Sequence, residues 1–214
     1  TIVAGLEALT PDLPILSEES GEIPFETRAR WPRYRLVDPL DGTKEFIKRN
    51  GQFTVNIALI DGHRPALGVV HVPVTQESYF GCAGAGAFLK KGGAEEAPIQ
   101  TASLSSGPVR VVGSRSHRGQ SLDNYLERLG DHELVPMGSS LKFCVVARGD
   151  ADVYPRLGLT SEWDTAAAQA VLEAAGGGVV TLEGEPLDYN AKADILNPFF
   201  IAFADGSRDW TQYL

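Results

Sequence analysis

Cysteine is scarce in this chain. Two occur among 214 residues, Cys82 and Cys144, too few for a disulfide framework and suited to a reducing, cytoplasmic compartment. Neither opens the Cys-x5-Arg loop of a cysteine phosphatase, because the sixth residue after Cys82 is Phe88 and the sixth after Cys144 is Asp150. Both lie in apolar surroundings and read as core. Long apolar runs are absent too: none approaches the roughly 18 residues that a membrane span needs. The opening TIVAGLEALT lacks the basic region and apolar centre of a signal peptide. With Ile2, Leu6 and Leu9 on one side it reads as the end of an amphipathic helix, so the natural protein is expected to begin upstream of Thr1. Positive charge is in deficit, with a net charge of −9, which excludes the broad basic surface of a polynucleotide binder. A small anionic ligand would need local cations, from a few Lys and Arg or from bound metal. Repeats and long linkers are missing, which suits one globular unit or two closely packed halves.

What is present falls into two patterns. The first half is a helix remnant followed by a largely antiparallel meander. YRLVD is a short buried strand that runs into the bend DPLDG. FTVNIALI (53–60) alternates, with Phe53, Val55, Ile57 and Leu59 expected on the buried face. ALGVVHVP, ESYFGCA and GAFLKK follow as strands. The second half alternates strands with helices. SLDNYLERLG is a helix with Ser121 as N-cap and Gly130 as stop, and SSLKFCVVARG is another, started by serine and stopped by glycine. ADVYP is a strand, SEWDTAAAQAVLEAAGG an Ala-rich helix ending at Gly176, and GVVTL and FFIAFA are strands. Layered helices and sheets are the architecture this predicts.

Four acids stand at strand ends and a helix start. Pro39 disfavours helical backbone at Asp38, and Asp-Pro-x-Asp-Gly is good turn chemistry, so an ordinary Asx turn is the plain reading of DPLDG. Glu18 and Glu19 end a strand-like run, where acids are usually a solvated rim. Asp164 begins a helix, where an acid is favoured as a simple cap. Together, however, Glu18, Asp38, Asp41 and Asp164 form a hard, oxygen-only set with no His or Cys beside them. Such a set suits Mg²⁺ or Mn²⁺ rather than zinc. Two carboxylates about 4 Å apart repel by about 4 kcal/mol at an effective dielectric near 20, and divalent ions would remove that repulsion. GCAGAGAF (81–88) has the glycine spacing of a P-loop, but Ala87 and Phe88 stand where Lys and Ser/Thr belong, and GAGAFL lacks the third glycine of a dinucleotide fingerprint. Both read as a tight turn.

In SEES, DPLDGT and WDTAAAQAVLEAAGG, in that order, the chain resembles the Mg²⁺-dependent, lithium-sensitive phosphatases of the inositol monophosphatase superfamily. The likeness covers essentially the whole chain and implies an α/β (α+β) fold layered α/β/α/β/α. In LVDPLDGTKEFIKRNGQFTVNIALIDG, GSRSH, GSSLKFCVVARGDADVYPR and PLDYN…ILNP it is most similar to the CysQ branch, the 3′(2′),5′-bisphosphate nucleotidases. The inositol phosphatases have a second Thr and an Asn where this chain has Lys44 and Glu45.

The resemblance implies roles. Glu18, Asp38 and the Leu40 carbonyl would hold one Mg²⁺; Asp38, Asp41 and Asp164 would hold another, with Mn²⁺ as a substitute. Thr43 would orient the attacking water, the N–H groups of Gly42 and Thr43 would grip the phosphate, and Glu19 would support from behind. Ser139, Lys142 and Arg156 match contacts to the nucleotide and its second phosphate, and His117 a position beside base or ribose. The plain reading of the serine-lysine pair is an N-cap, Ser139, and a solvated surface charge, Lys142. Residues 1–105 are expected to carry the metals and residues 106–214 to complete the substrate site.

The implied reaction is removal of the 3′-phosphate of adenosine 3′,5′-bisphosphate, with the sulfated nucleotide PAPS as a further substrate. A broader inositol- or sugar-phosphate phosphatase is the alternative within enzymes, and an inactive phosphate-binding scaffold the alternative outside them. The partner is thus a small nucleotide and not a nucleic acid polymer. Peripheral attachment to the cytoplasmic face of the inner membrane is compatible with the sequence but not encoded in it, and no apolar stripe announces an oligomer. The family's N-terminal helical segment, whose acid pairs with the motif threonine, is absent from these residues. A protein truly lacking it is expected to show weak turnover and loose metal binding.

Overall fold

The computed structural model describes residues 1–113 and 119–214. Helix α1 (Ile2–Leu9) buries none of its residues. Strand β1 (Ile15–Ser17), the short helix α2 (Phe25–Arg28), strand β2 (Arg33–Asp41) and the short helix α3 (Thr43–Ile47) follow. Then comes the expected meander: β3 (Thr54–Asp61), β4 (Arg64–Val72), β5 (Glu77–Cys82), β6 (Gly86–Lys91) and β7 (Ala97–Ile99). These strands make one sheet in chain order, β1 parallel to β2 and every later pair antiparallel.

The second half supplies β8 (Val109–Gly113), α4 (Gln120–Leu129), β9 (His132–Pro136), α5 (Leu141–Ala147), β10 (Val153–Arg156), α6 (Glu162–Ala174), β11 (Gly178–Thr181) and β12 (Phe200–Phe203), with a closing 3₁₀ turn at Thr211–Tyr213. Its sheet runs β11-β12-β10-β8-β9, with β8 parallel to both neighbours and β12 antiparallel to both of its own. Helices α5 and α6 lie between the two sheets. One core joins both halves, from Leu16, Leu36 and Ile60 through Phe143 and Leu172 to Phe200, while α4 packs Tyr125 and Leu126 against the outer face of the second sheet. The layers are therefore sheet, helices, sheet, helix. Among the described residues no helix is long and apolar enough to cross a membrane.

The contact between α6 and the first sheet rests on small residues. Ala166, Ala167, Ala168 and Ala170 are buried on the helix, and glycine sits beneath it at two sheet positions. A Cβ added at Gly68 would lie 2.0 Å from the Ala167 carbonyl oxygen, and one at Gly81 2.9 Å from the Cα of Val171. Helix and sheet backbones meet at a distance only glycine permits.

Local corrections have physical causes. The alternation in β3 is real, but Thr54, Asn56, Ala58 and Ile60 form its buried face, while Val55, Ile57 and Leu59 are half-buried on the other. The face that meets α6 and the site carries small and polar groups, so side-chain hydrophobicity pointed to the wrong side. Helix α4 is capped by Gly119, which leaves Ser121 inside the first turn; Gly130, at φ +85°, does end it. Strands β7 and β9 were not expected. Both are edge strands, where Pro98 can be accommodated and where alternation is not enforced by burial on two faces.

Candidate active site

The Asp-Pro-Leu-Asp stretch is not a turn after a strand. Strand β2 continues through it, pairing Asp38 with Asn56 and Asp41 with Thr54. Three steps along β2 thus match two steps along β3, which defines a bulge of one extra residue. The consequence is chemical. Residues three apart on a regular strand point to opposite faces, but here Asp38 and Asp41 pair with i and i+2 of β3 and share one face. Pro39 fits because the bulge asks no ladder donor of it. The Leu40 N–H donates to Asp38 Oδ1 at 2.8 Å, the one element of the expected Asx turn that persists. Gly42 then turns the chain into α3 at φ +90°, where a Cβ would crowd the Ser139 Cβ at 3.1 Å.

Asp164 comes from the other half. It is the third residue of α6 and closes a capping box with Ser161, whose N–H donates to Asp164 Oδ2 at 2.8 Å. One oxygen from each of Asp38, Asp41 and Asp164 lies within 4.8 Å of the others. Glu18, exposed at the end of β1, hydrogen-bonds the Asp38 carboxyl group and adds its charge at Asp164. Glu19 is exposed.

This crowding raises proton affinity. Burial, then the Asp41 charge and Glu18, push Asp38 up to about 9 despite the Leu40 hydrogen bond. Burial, Asp41 and Glu18 push Asp164 up to about 6 against the pull of Arg156. Hard oxygen donors whose like charges go uncompensated are what a divalent cation requires, so the residues fit a metal of the Mg²⁺ type.

A polar frame holds Asp41. Its Oδ2 accepts from the Ser140 N–H at 2.6 Å and lies 2.6 Å from the Ser140 hydroxyl, 3.2 Å from Thr54 Oγ1 and 3.4 Å from Asn56 Nδ2. Asn56 Nδ2 donates to Ser140 Oγ at 2.7 Å, and that hydroxyl is also 2.6 Å from the Asp164 carbonyl oxygen. One face of Asp41 is therefore engaged by the protein, and Ser140 ties it to the helix bearing Asp164.

Asp41 and Asp164 open onto a cavity of about 170 Å³ between the two halves. Asp41, Gly42, Ser139, Ser140 and Asp164 line one part of it, and Lys44, Lys48, Lys142 and Arg156 line other parts together with Glu45 and Tyr154. Lys142 is buried rather than solvated, with Nζ donating to the Ser139 carbonyl at 2.9 Å and lying 5.5 Å from the centre of the Tyr154 ring. Arg156 Nη2 donates to the Leu159 carbonyl at 2.6 Å, and its buried Nε has no hydrogen-bond partner among the described residues. A neighbouring hollow of about 300 Å³ shares Lys142, Tyr154 and Arg156 and runs towards Ser121 and Leu122.

Residues 1–201 match the Inositol monophosphatase family. The chain belongs to that family. It is 51% identical over 199 residues to the 3′(2′),5′-bisphosphate nucleotidase CysQ of Escherichia coli strain K12, covering 93% of this chain and 79% of that protein. It is 50% identical, with the same coverage, to the 3′(2′),5′-bisphosphate nucleotidase CysQ of Salmonella typhimurium strain LT2. The crystal structure of CysQ from Bacteroides thetaiotaomicron, a bacterial member of the inositol monophosphatase family, superimposes with a TM-score of 0.86 at 42% identity, covering 97% of this chain and 82% of that one.

Within this family fold, the structure brings Asp38, Asp41, Asp164 and Glu18 together from three segments, the end of β1, strand β2 and the start of α6. It puts Gly42, Ser139, Lys142 and Arg156 around one cavity. Thr43 opens α3 and is exposed. The Leu40 amide serves Asp38. His117 lies outside the described residues. The N-cap of α5 is Ser140 and not Ser139, which sits at φ +45° with its hydroxyl 3.1 Å from Thr54 Oγ1. Thr54, Asn56 and Ser140 were missed. The available signal was two polar residues at alternate positions of the strand that follows the acid motif, which point to a common face.

Proposed function

We propose that the chain hydrolyses the 3′-phosphate of adenosine 3′,5′-bisphosphate to AMP and phosphate, and cleaves PAPS in the same way to adenosine 5′-phosphosulfate. One observation carries this reading: three carboxylates converge at Asp38, Asp41 and Asp164, and two of them, Asp41 and Asp164, share one cavity with four cationic side chains. The CysQ names of relatives near 50% identity support it. A monophosphate needs the acids and their cation but has no use for the buried Lys142 and the half-buried Arg156 on the far side.

The N-terminal half (1–105) supplies Glu18, Asp38, the Leu40 carbonyl and Asp41 as metal ligands, and the C-terminal half (106–214) supplies Asp164 and completes the substrate site. Mg²⁺, for which Mn²⁺ can substitute, supplies positive charge to the phosphoryl oxygens and lowers the pKa of water when bound. The Thr43 hydroxyl orients a water for in-line attack, while the Gly42 and Thr43 N–H groups hold the phosphoryl oxygens. As the water oxygen bonds to phosphorus, the bond to the ribose O3′ breaks and that oxygen takes up a proton. No covalent enzyme intermediate is required. Lys142, Arg156 and Ser139 hold the 5′-phosphate, and His117 lies by the base or ribose. Two unpaired cysteines support a cytoplasmic setting for the enzyme.

Phosphate release from adenosine 3′,5′-bisphosphate, PAPS, inositol 1-phosphate and fructose 1,6-bisphosphate tests the reading. The highest kcat/KM is expected for the two nucleotides, with loss of all activity in EDTA and inhibition by lithium. A preference for inositol 1-phosphate would overturn it.

A further inference from the structure

A second polar construction lies behind the first turn of α6. Glu162 is 1% exposed, and its Oε2 accepts the backbone N–H of Asn190 at 2.9 Å. Asn190 is itself buried at φ +53° and grips Arg28 twice. Its Oδ1 accepts from the guanidinium, and its Nδ2 donates to the Arg28 carbonyl at 2.7 Å. Arg28, buried at the end of α2, also donates to the carbonyls of Ala193 at 2.5 Å and Lys192 at 3.2 Å. The same segment is stitched to the helix start: the Glu162 N–H donates to the Ile195 carbonyl at 2.9 Å, and Asn197 Nδ2 donates to the Ser161 carbonyl at 2.9 Å.

Buried charges make poor glue. Desolvating a carboxylate and a guanidinium costs enough that apolar packing of similar volume serves stability as well or better. Hydrogen bonds to charged groups do fix direction, because each donor and acceptor has one satisfactory place. The two ends of this chain of contacts lead to the acid cluster. Glu162 stands two residues before Asp164, and Arg28 anchors the far end of the segment that starts at Glu18.

We propose that Glu162, Asn190 and Arg28 are positioning residues for the metal centre, setting Asp164 and the Glu18 segment in one frame. None of the three touches the cation. Together they limit how far the acids can drift apart when it is absent, which lowers the cost of gathering them when it binds. The proposal rests on the metal-centre reading above.

The test is calorimetric titration of Mg²⁺ into the substrate-free protein, beside urea unfolding of each variant without metal. Partners behind metal ligands are typically worth about 10- to 100-fold in affinity. Glu162→Ala is expected to weaken Mg²⁺ binding by about 10-fold or more. Glu162→Gln, which keeps an acceptor for the Asn190 N–H, should recover most of that loss. Asn190→Gly keeps the positive φ but removes the grip on Arg28, so it should weaken binding even where Glu162→Ala fails to fold. A residue that only stabilises the fold would lower the urea midpoint and leave the affinity of the folded protein alone. Wild-type affinity in folded Asn190→Gly and Glu162→Ala would overturn this proposal only; absence of Mg²⁺ binding in the wild type would remove the metal centre and the proposal with it.

Discussion

Asp38 carries the largest electrostatic burden among the site residues. In the metal-free fold its carboxyl group is buried beside Asp41 and Glu18 and held up to about 9, against an ordinary value of 3.8. A carboxyl whose folded value is raised keeps its proton in the native state while the unfolded chain has lost it. The unfolded state therefore binds fewer protons between those two values, and stability falls as pH rises through that window. Asp38→Asn removes this dependence together with a proposed metal ligand. We expect the metal-free variant to lose less stability than wild type between about pH 5 and pH 9, to equal or exceed it at the alkaline end, and to have no measurable phosphatase activity. Urea midpoints across pH, paired with phosphate release, check both halves. A variant that turns over normally would end the role of Asp38 as ligand.

At the scale of elements, the helices and their glycine stops were legible because those signals act locally, as at Gly130. The caps were displaced: Gly119 and Ser140 cap α4 and α5, and Asp164 is the third residue of α6 behind its cap Ser161. The acids themselves were legible from type and order. Their geometry was not, because DPLDG carries turn chemistry, and only the pairing of β2 with β3 shows the bulge that turns both aspartates to one side. The buried face of β3 was misjudged for a related reason. Thr54 and Asn56 are buried to serve Asp41, a long-range demand that hydrophobic patterning does not register. The glycines beneath α6 belong here too. Gly68→Ala puts a Cβ 2.0 Å from backbone, which no rotamer can relieve, so α6 must shift. Overpacking of this kind costs about 1–3 kcal/mol or more, a drop of about 2–4 °C in Tm per kcal/mol at this size. Because α6 carries Asp164, the variant should also need more Mg²⁺ for half-maximal activity. Gly93→Ala, which meets nothing within 4 Å, is the control and should match wild type on both measures.

For the whole molecule, the proposed metal centre joins segments far apart in the chain. Asp38 and Asp41 belong to the first sheet and Asp164 to the helix that the second half lays across it. A cation held by all three binds the folded chain and not the unfolded one, so it stabilises by mass action, about 2.7 kcal/mol at 100 times its dissociation constant. A cation at this proposed site would compete with protons at Asp38, raised to about 9, and at Asp164, raised to about 6. Binding must release those protons, so apparent affinity rises with pH up to the Asp38 value. The metal-free protein loses stability over the same range, and the two effects run in opposite directions. The Mg²⁺-induced rise in Tm should therefore be larger at about pH 8 than at about pH 6, and it should vanish in Asp38→Asn at both. Differential scanning measurements with saturating Mg²⁺ and with EDTA read this directly. A rise that is equal at the two pH values would mean that the cation binds away from Asp38 and Asp164, and the acid cluster would then need another explanation.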